Sequence, residues 1–183
     1  MLKLKDVFLN TKKISNESDY YIKIKLLLEG RDLLDNICYW STLDSKGSLM
    51  EIGLEESTGL IFEICVVICN TIYQQDLTIV HNNVLGKSGL PLFETDAWKP
   101  EVNPLGYHVE FYDPIYNVRE NNHFEIYAGE QNTTILLSSN NIVLHVINDP
   151  VVFGFDKDNN LCYIHIKNMT LNDEGFLEQV IMH

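Results

Sequence analysis

Two short stretches of the sequence place histidine, glutamate and tyrosine at alternate positions. The six residues are His108, Glu110 and Tyr112 in the first stretch and His123, Glu125 and Tyr127 in the second. Because successive side chains of a β-strand point to opposite faces, each trio lies on one face if its stretch is a strand. If the two strands pair, one sheet face presents all six side chains. Tyrosines anchor protein interfaces and carboxylates attract basic proteins, so we predict a binding surface here, although a plain solvated sheet face has the same alternation.

Motifs for catalysis and metal binding fail on spacing. Asp156, Asp158 and Asn160 match the first three ligand positions of a calcium-binding loop, but Leu161 and Lys167 stand where glycine and glutamate are required. The chain has no His-x₃-His, His-Glu-x-x-His, Cys-x-x-Cys or Gly-x-Ser-x-Gly motif. We therefore predict a hairpin turn at residues 156–160, no metal, no cofactor and no enzymatic activity.

The charge of the chain narrows the choice of partner. The 183 residues include 13 basic and 26 acidic side chains, which gives a formal net charge of −13. Residues 1–35 hold seven basic and six acidic side chains, whereas residues 36–183 hold six basic and twenty acidic ones. An acidic folded body is repelled by the phosphates of nucleic acid and by anionic membrane surfaces. We therefore predict neither as a partner and expect a basic protein, attracted over a long range.

The sequence also predicts the compartment. It has no run of about 18 apolar residues that would span a membrane, and its first ten residues lack the apolar core of a secretory signal. The expected location is the cytoplasm. The four cysteines, Cys38, Cys65, Cys69 and Cys162, are then expected to be buried thiols and not disulfides.

Alternating or continuous apolar patterns predict mainly strands. The predicted strands cover residues 20–28, 36–43, 48–54, 60–69, 107–112, 123–127, 133–137, 141–147, 151–155 and 161–167. Residues 49–54 and 60–69 are predicted to form a hairpin, with Gly59 at a position that needs positive φ. Residues 82–106 are rich in proline and glycine and are predicted to be an irregular connection between two halves, 1–81 and 107–183, of a single domain.

The C-terminus changes period. Residues 170–173 resemble a helix capping box, and Phe176, Leu177, Val180 and Ile181 then fall on one helical face. A short helix at the extreme N-terminus is a further expectation. The predicted class is therefore a β-rich α+β fold, with a twisted antiparallel sheet or half-barrel and a C-terminal helix.

Two segments carry a family resemblance. Residues 50–61, Met-Glu-Ile-Gly-Leu-Glu-Glu-Ser-Thr-Gly-Leu-Ile, form an acidic-Ile-Gly strand, a Thr-Gly turn and an apolar strand. Residues 152–161, Val-Phe-Gly-Phe-Asp-Lys-Asp-Asn-Asn-Leu, precede an apolar strand and the predicted helix. These segments resemble bacterial immunity-type proteins of contact-dependent growth inhibition and other polymorphic toxin systems. The resemblance implies a protein that neutralises a cognate toxin domain, such as a basic nuclease, by covering its active site.

Two other functions remain open at this point. One is a small hydrolase acting on a carbohydrate or a nucleotide, in which Glu110 or Glu125 would be essential for turnover. The other is a β-sandwich module that binds a ligand. The resemblance implies a role and carries over no contact residue, because the contact surfaces of immunity proteins differ between pairs.

Overall fold

The regular elements of the protein are β-strands. The structure is a computed structural model that describes residues 1–18, 22–30, 36–77, 84–96, 98 and 116–169. The fifteen strands in these ranges are β1 (Leu4–Phe8), β2 (Ile14–Asn16), β3 (Ile24–Leu28), β4 (Ile37–Leu43), β5 (Leu49–Glu55), β6 (Ile61–Ile68), β7 (Ile72–Tyr73), β8 (Leu85–Ser88), β9 (Leu90–Phe93), β10 (Tyr116–Glu120), β11 (Glu125–Ala128), β12 (Asn132–Leu136), β13 (Ile142–Asn148), β14 (Val151–Asp156) and β15 (Leu161–Lys167). No helix long and apolar enough to span a membrane occurs in the described ranges.

The prediction of an α+β fold is wrong, because the described residues form three sheets and contain no helix. At the N-terminus, where a helix was expected, the chain forms strand β1. A register shift between Leu4 and Asp6 leaves Leu4 and Val7 buried three residues apart, a spacing that resembles a helical period. The expected C-terminal helix falls on residues 170–183, which lie outside the described residues. The prediction of an antiparallel sheet is also wrong, because both large sheets contain parallel pairs. Strand β10 runs parallel to β4, β7 runs parallel to β11, and β8 runs parallel to β13.

A six-stranded sheet has the order β10-β4-β5-β6-β3-β2. The hairpin predicted for residues 49–54 and 60–69 is confirmed at the centre of this sheet. There β5 and β6 pair antiparallel, from Leu49↔Ile68 to Leu54↔Ile61. The turn of this hairpin contains Gly59 at a φ of 73°, as predicted. The apolar run of β6 pairs with β3 on its other side, which explains why five of its eight residues are buried.

A seven-stranded sheet has the order β7-β11-β12-β15-β14-β13-β8. One face carries a continuous row of fully buried residues, because cross-strand partners lie on the same face. This row is Ile126, Ile135, Ile164, Phe153 and Val146. The antiparallel meander predicted for the second half is confirmed for the pairs β11–β12, β13–β14 and β14–β15, but it is wrong between β12 and β13, because β12 pairs with β15.

A two-stranded sheet of β1 and β9 joins the two larger sheets. On one side, the Phe93 amide donates to the carbonyl of Gly59 at 2.8 Å, next to the β5–β6 turn. On the other side, the Leu4 amide donates to Asn159 and the Leu161 amide to Leu2, each at 2.9 Å. Strands β8 and β9 both lie in the stretch 82–106 that was predicted to be irregular. Prolines and glycines flank or interrupt these short strands, so the sequence pattern indicated an irregular segment and not strands.

One hydrophobic core runs through all three sheets. Its largest fully buried side chains include Trp40 from the six-stranded sheet, Phe93 from the two-stranded sheet and Phe153 from the seven-stranded sheet. The rings of Phe93 and Phe155 lie 6.2 Å apart, which places β9 directly against β14. This core fixes how the edge of the seven-stranded sheet lies beside the end of the six-stranded sheet, and the candidate site is at that junction.

Candidate binding surface

Two tyrosines and a glutamate form a cluster at one edge of the seven-stranded sheet. Glu125 and Tyr127 are two residues apart on β11, so both lie on the face opposite the core row. The edge strand β7 pairs with β11 in parallel and places Tyr73 beside Tyr127. Their rings stack, with centroids 4.8 Å apart and planes at 28°. We call Tyr73, Glu125 and Tyr127 the tyrosine–glutamate cluster.

Both tyrosine hydroxyls donate to the same carboxylate. The Tyr127 hydroxyl lies 2.9 Å from Oε2 of Glu125, and the Tyr73 hydroxyl lies 3.4 Å from Oε1. Burial and the neighbouring Glu125 raise the pKa of Tyr127, so its hydroxyl keeps its proton and remains a donor. The carboxylate is thereby held in one orientation, while a quarter of the Glu125 side chain stays exposed.

His123 extends the cluster towards the six-stranded sheet. Its Nδ1 lies 2.7 Å from Oδ2 of Asp44, and its Nε2 lies 3.7 Å from Oε1 of Glu125. Asp44 is buried in the turn between β4 and β5, where its Oδ1 accepts the amides of Lys46 and Ser48. Burial alone would raise the pKa of Asp44, but the hydrogen bonds from His123, Ser48 and Lys46 together lower it. Asp44 therefore remains an anion that orients His123.

The structure brings together three of the six residues predicted from the sequence. His123, Glu125 and Tyr127 lie at the same edge, but His123 precedes β11 and is held by Asp44 instead of by a strand. The other three residues, His108, Glu110 and Tyr112, lie outside the described residues. Pairing of the two stretches therefore stays a prediction, and the neighbours that the structure gives to β11 are β7 and β12.

Sequence patterns missed Tyr73 and Asp44. Tyr73 belongs to a strand of two residues, which is too short to have an alternation. Asp44 lies in a turn and accepts the amides two and four residues ahead, a local role that gives no sign of a contact with another sheet. Its contact with His123 spans 79 residues of sequence and depends on the packing of two sheets.

Further polar pairs lie on the same face of the seven-stranded sheet. Oγ1 of Thr134 is 2.9 Å from Nδ1 of His165, and the Tyr163 hydroxyl is 2.7 Å from Nε2 of His145. Burial raises the pKa of Tyr163 well above its ordinary value. The Tyr163 ring lies across Gly154, where an added Cβ would come within 2.2 Å of it. These groups satisfy one another, so we assign them a structural role.

The thiols and carboxylates of the described residues are poorly suited to nucleophilic or metal chemistry. Burial raises the pKa of both Cys69 and Cys162 to about 11, so neither is a thiolate at neutral pH. Within the described ranges, no three histidine, cysteine, aspartate or glutamate side chains are arranged to hold a metal ion. The predicted turn at residues 156–160 is confirmed, and buried Asp156 accepts four hydrogen bonds within it and from Asn140.

We expect the cysteines to react slowly with iodoacetamide in the native protein. Cys38, Cys65 and Cys162 are buried, and the raised pKa of partly exposed Cys69 reduces its thiolate fraction. Alkylation of Cys69, followed by mass spectrometry at neutral pH, should be roughly 100-fold slower than that of an ordinary exposed cysteine. The urea-unfolded chain, in which all four thiols should react at the ordinary rate, is the control. Rapid native labelling of Cys69 would contradict the raised pKa.

Comparison with known proteins gives no family assignment. No protein-family model matches the sequence, and no curated protein matches it.

Proposed function

We propose that the chain is a cytoplasmic immunity protein of a contact-dependent or polymorphic toxin system. It binds a cognate basic toxin domain, of the nuclease type, and neutralises it by covering the active site, without catalysis or a cofactor. The observation that carries the proposal is the tyrosine–glutamate cluster: two stacked tyrosines that hold an anionic carboxylate at a partly exposed sheet edge. Rigid aromatic residues beside a fixed charge are typical of the residues that dominate protein interfaces.

The electrostatics support a basic partner. Of the 26 acidic side chains, twenty lie in residues 36–183, which hold only six basic ones. Among the described residues, no lysine or arginine forms an ion pair with Asp44 or Glu125. The junction between the two large sheets is therefore anionic and attracts a positively charged surface. A nuclease domain has such a surface, because it binds a polyanion.

The carboxyl and thiol groups with shifted pKa values favour binding over hydrolysis. A hydrolytic general acid needs a carboxyl group with a raised pKa, and a thiol nucleophile needs a lowered one. Among the described residues, the carboxyl groups with shifted pKa values, Asp44 and Asp156, are both shifted downwards. The thiols with shifted values, Cys69 and Cys162, are both shifted upwards. These directions are opposite to those that either mechanism requires.

Co-expression with the toxin domain encoded by the adjacent gene tests the function. The wild-type chain should rescue growth and co-purify with the toxin, and the affinity should fall as salt is added, because steering charges are screened. Growth arrest by the toxin despite co-expression of the chain, or a toxin that does not bind it, would overturn the proposed function. Turnover of a carbohydrate or nucleotide that is lost in Glu125→Gln would favour the hydrolase instead.

Charge reversal tests the location of the surface. We expect Glu125→Lys to weaken toxin binding by roughly 10- to 100-fold, since it removes the fixed carboxylate and repels a basic partner. Glu130→Lys is the matched control, because it makes the same charge change at an exposed position in the turn between β11 and β12. Binding is measured by titration calorimetry, with thermal unfolding as a check on folding. Equal affinities for the two variants would place the interface elsewhere.

A further inference from the structure

We propose that the tyrosine–glutamate cluster is the seat for a single arginine of the basic partner. The inference rests on the proposed function and names the chemistry of the contact. The arginine guanidinium stacks on the outer face of Tyr73 and makes a two-pronged ion pair with Glu125. Leu43, Leu49 and Ile68, which we call the aliphatic row, pack against apolar side chains that flank this arginine.

The stacking surface is provided by Tyr73. Strand β7 is the last strand of the seven-stranded sheet, and Tyr73 is 39% exposed although one face of its ring is covered by Tyr127. The exposed part of the ring is therefore the side away from Tyr127. A planar, delocalised guanidinium stacks on such a face more favourably than a strongly hydrated ammonium group does. Stacking between the two tyrosines also fixes the ring, so little side-chain freedom is lost on binding.

The carboxylate has room for a bidentate partner. Each oxygen of Glu125 accepts one hydrogen bond from a tyrosine hydroxyl, at 3.4 and 2.9 Å. A carboxylate offers about four acceptor positions, and Nε2 of His123, 3.7 Å from Oε1, is beyond hydrogen-bond distance, so one position remains on each oxygen. The two parallel N–H groups of a guanidinium match this pair, whereas a lysine ammonium reaches it only as a point charge. No lysine or arginine of the described residues already occupies the position.

The aliphatic row lies at one end of strands β4, β5 and β6. Leu43, Leu49 and Ile68 are cross-strand partners on β4, β5 and β6, so they line one face of the six-stranded sheet at its end. Leu43 and Ile68 are 38% and 49% exposed, and both adjoin Leu49, so the three form a contiguous apolar patch. Leu43 directly precedes Asp44, which binds His123, and Ile68 is four residues before Ile72, the start of β7. Apolar surface beside a paired charge excludes water from that pair and strengthens it.

The test combines this chain with the toxin domain encoded by the adjacent gene and maps arginines by phenylglyoxal modification. In the complex with the wild-type chain, one arginine of the toxin should be protected, as detected by mass spectrometry. Tyr73→Ala should weaken binding by roughly 10- to 100-fold and expose that arginine, and Tyr73→Phe, which keeps the ring, should weaken it by less than about fivefold. Ile68→Ala should weaken binding by a few-fold through lost apolar contact.

Leu85→Ala is the matched control, because Leu85 is 60% exposed on β8, at the edge of the seven-stranded sheet opposite to β7. Its affinity should equal that of the wild type, and the thermal unfolding of every variant is checked. A complex that forms normally with Tyr73→Ala, or that protects lysines of the toxin but no arginine, would overturn the arginine seat and leave the immunity function intact. A toxin that does not bind the wild-type chain would overturn both.

Discussion

Replacing Gly59 by alanine should lower the free energy of unfolding by about 2–5 kcal/mol. Gly59 has a φ of 73°, in the left-handed region that side chains other than glycine rarely adopt. An added Cβ would also lie 2.0 Å from the carbonyl oxygen of Phe93. The obstacle is backbone and not a flexible side chain, so β9 would have to move away from the β5–β6 turn. That movement would break the hydrogen bond from the Phe93 amide to the Gly59 carbonyl.

Gly30→Ala separates the two causes. Gly30 has a similar φ of 79°, but no atom lies within 4 Å of its added Cβ. Its substitution should therefore cost only the conformational part, about 1–2 kcal/mol. Urea denaturation of both variants measures the difference, provided that the dependence of the free energy on urea is unchanged. Equal losses would mean that β9 is not held tightly against the turn.

Local patterns predicted the strands that pair with their sequence neighbours. Strand β15 was predicted with the bounds that the structure has, Leu161–Lys167, and the β5–β6 hairpin followed from two apolar runs around a glycine turn. In such pairs the alternation of side chains and the short turn act together, and both are visible within a few residues. Sequence reasoning was reliable where the partner of a strand is the next strand along the chain.

Strands whose partners are distant in sequence escaped prediction. Strand β8 has four exposed residues and therefore no apolar alternation, yet it pairs in parallel with β13 more than fifty residues later. Strand β7 is two residues long and is defined by its pairing with β11. Neither the length nor the composition of such segments distinguishes them from loops. The N-terminal helix was expected for a related reason, since the spacing of Leu4 and Val7 resembles a helical period when the partner strand β9 is unknown.

The residues of the candidate site were likewise predicted only where a local pattern contains them. Alternation within one stretch identified Glu125 and Tyr127, which do share a face of the sheet. The partners that give them a function come from elsewhere: Tyr73 from the parallel edge strand and Asp44 from a turn of another sheet. A single sequence contains the residue types for these contacts but not the topology that brings them together. That topology converts a pair of alternate residues into a carboxylate that is held by the hydroxyls of two stacked tyrosines.

Substitution of Asp156 should have the second large effect on stability. Its Oδ1 accepts the amides of Asp158 and Asn160, each at 2.9 Å, and its Oδ2 accepts the side-chain amides of Asn140 and Asn160 at 2.8 and 3.1 Å. Asp156 is 3% exposed, so water cannot replace the lost acceptor in Asp156→Ala. We expect that variant to lose about 2–4 kcal/mol of unfolding free energy. Asp156→Asn keeps one acceptor oxygen and should lose about half as much.

The same carboxylate should make the stability depend on pH. Burial would raise the pKa of Asp156, but hydrogen bonds from Asn160, Asn140 and Asp158 lower it below the ordinary value. A group whose pKa is lower in the folded state contributes stability that is complete above its unfolded pKa and is lost as the pH falls through its folded pKa. Urea denaturation across the acidic range should therefore give a shallower decline for Asp156→Asn than for the wild type. Asp158→Asn, at an exposed position in the same turn, is the control and should retain the wild-type decline. Identical curves for all three proteins would mean that the charge of the Asp156 carboxylate does not stabilise the β14–β15 turn.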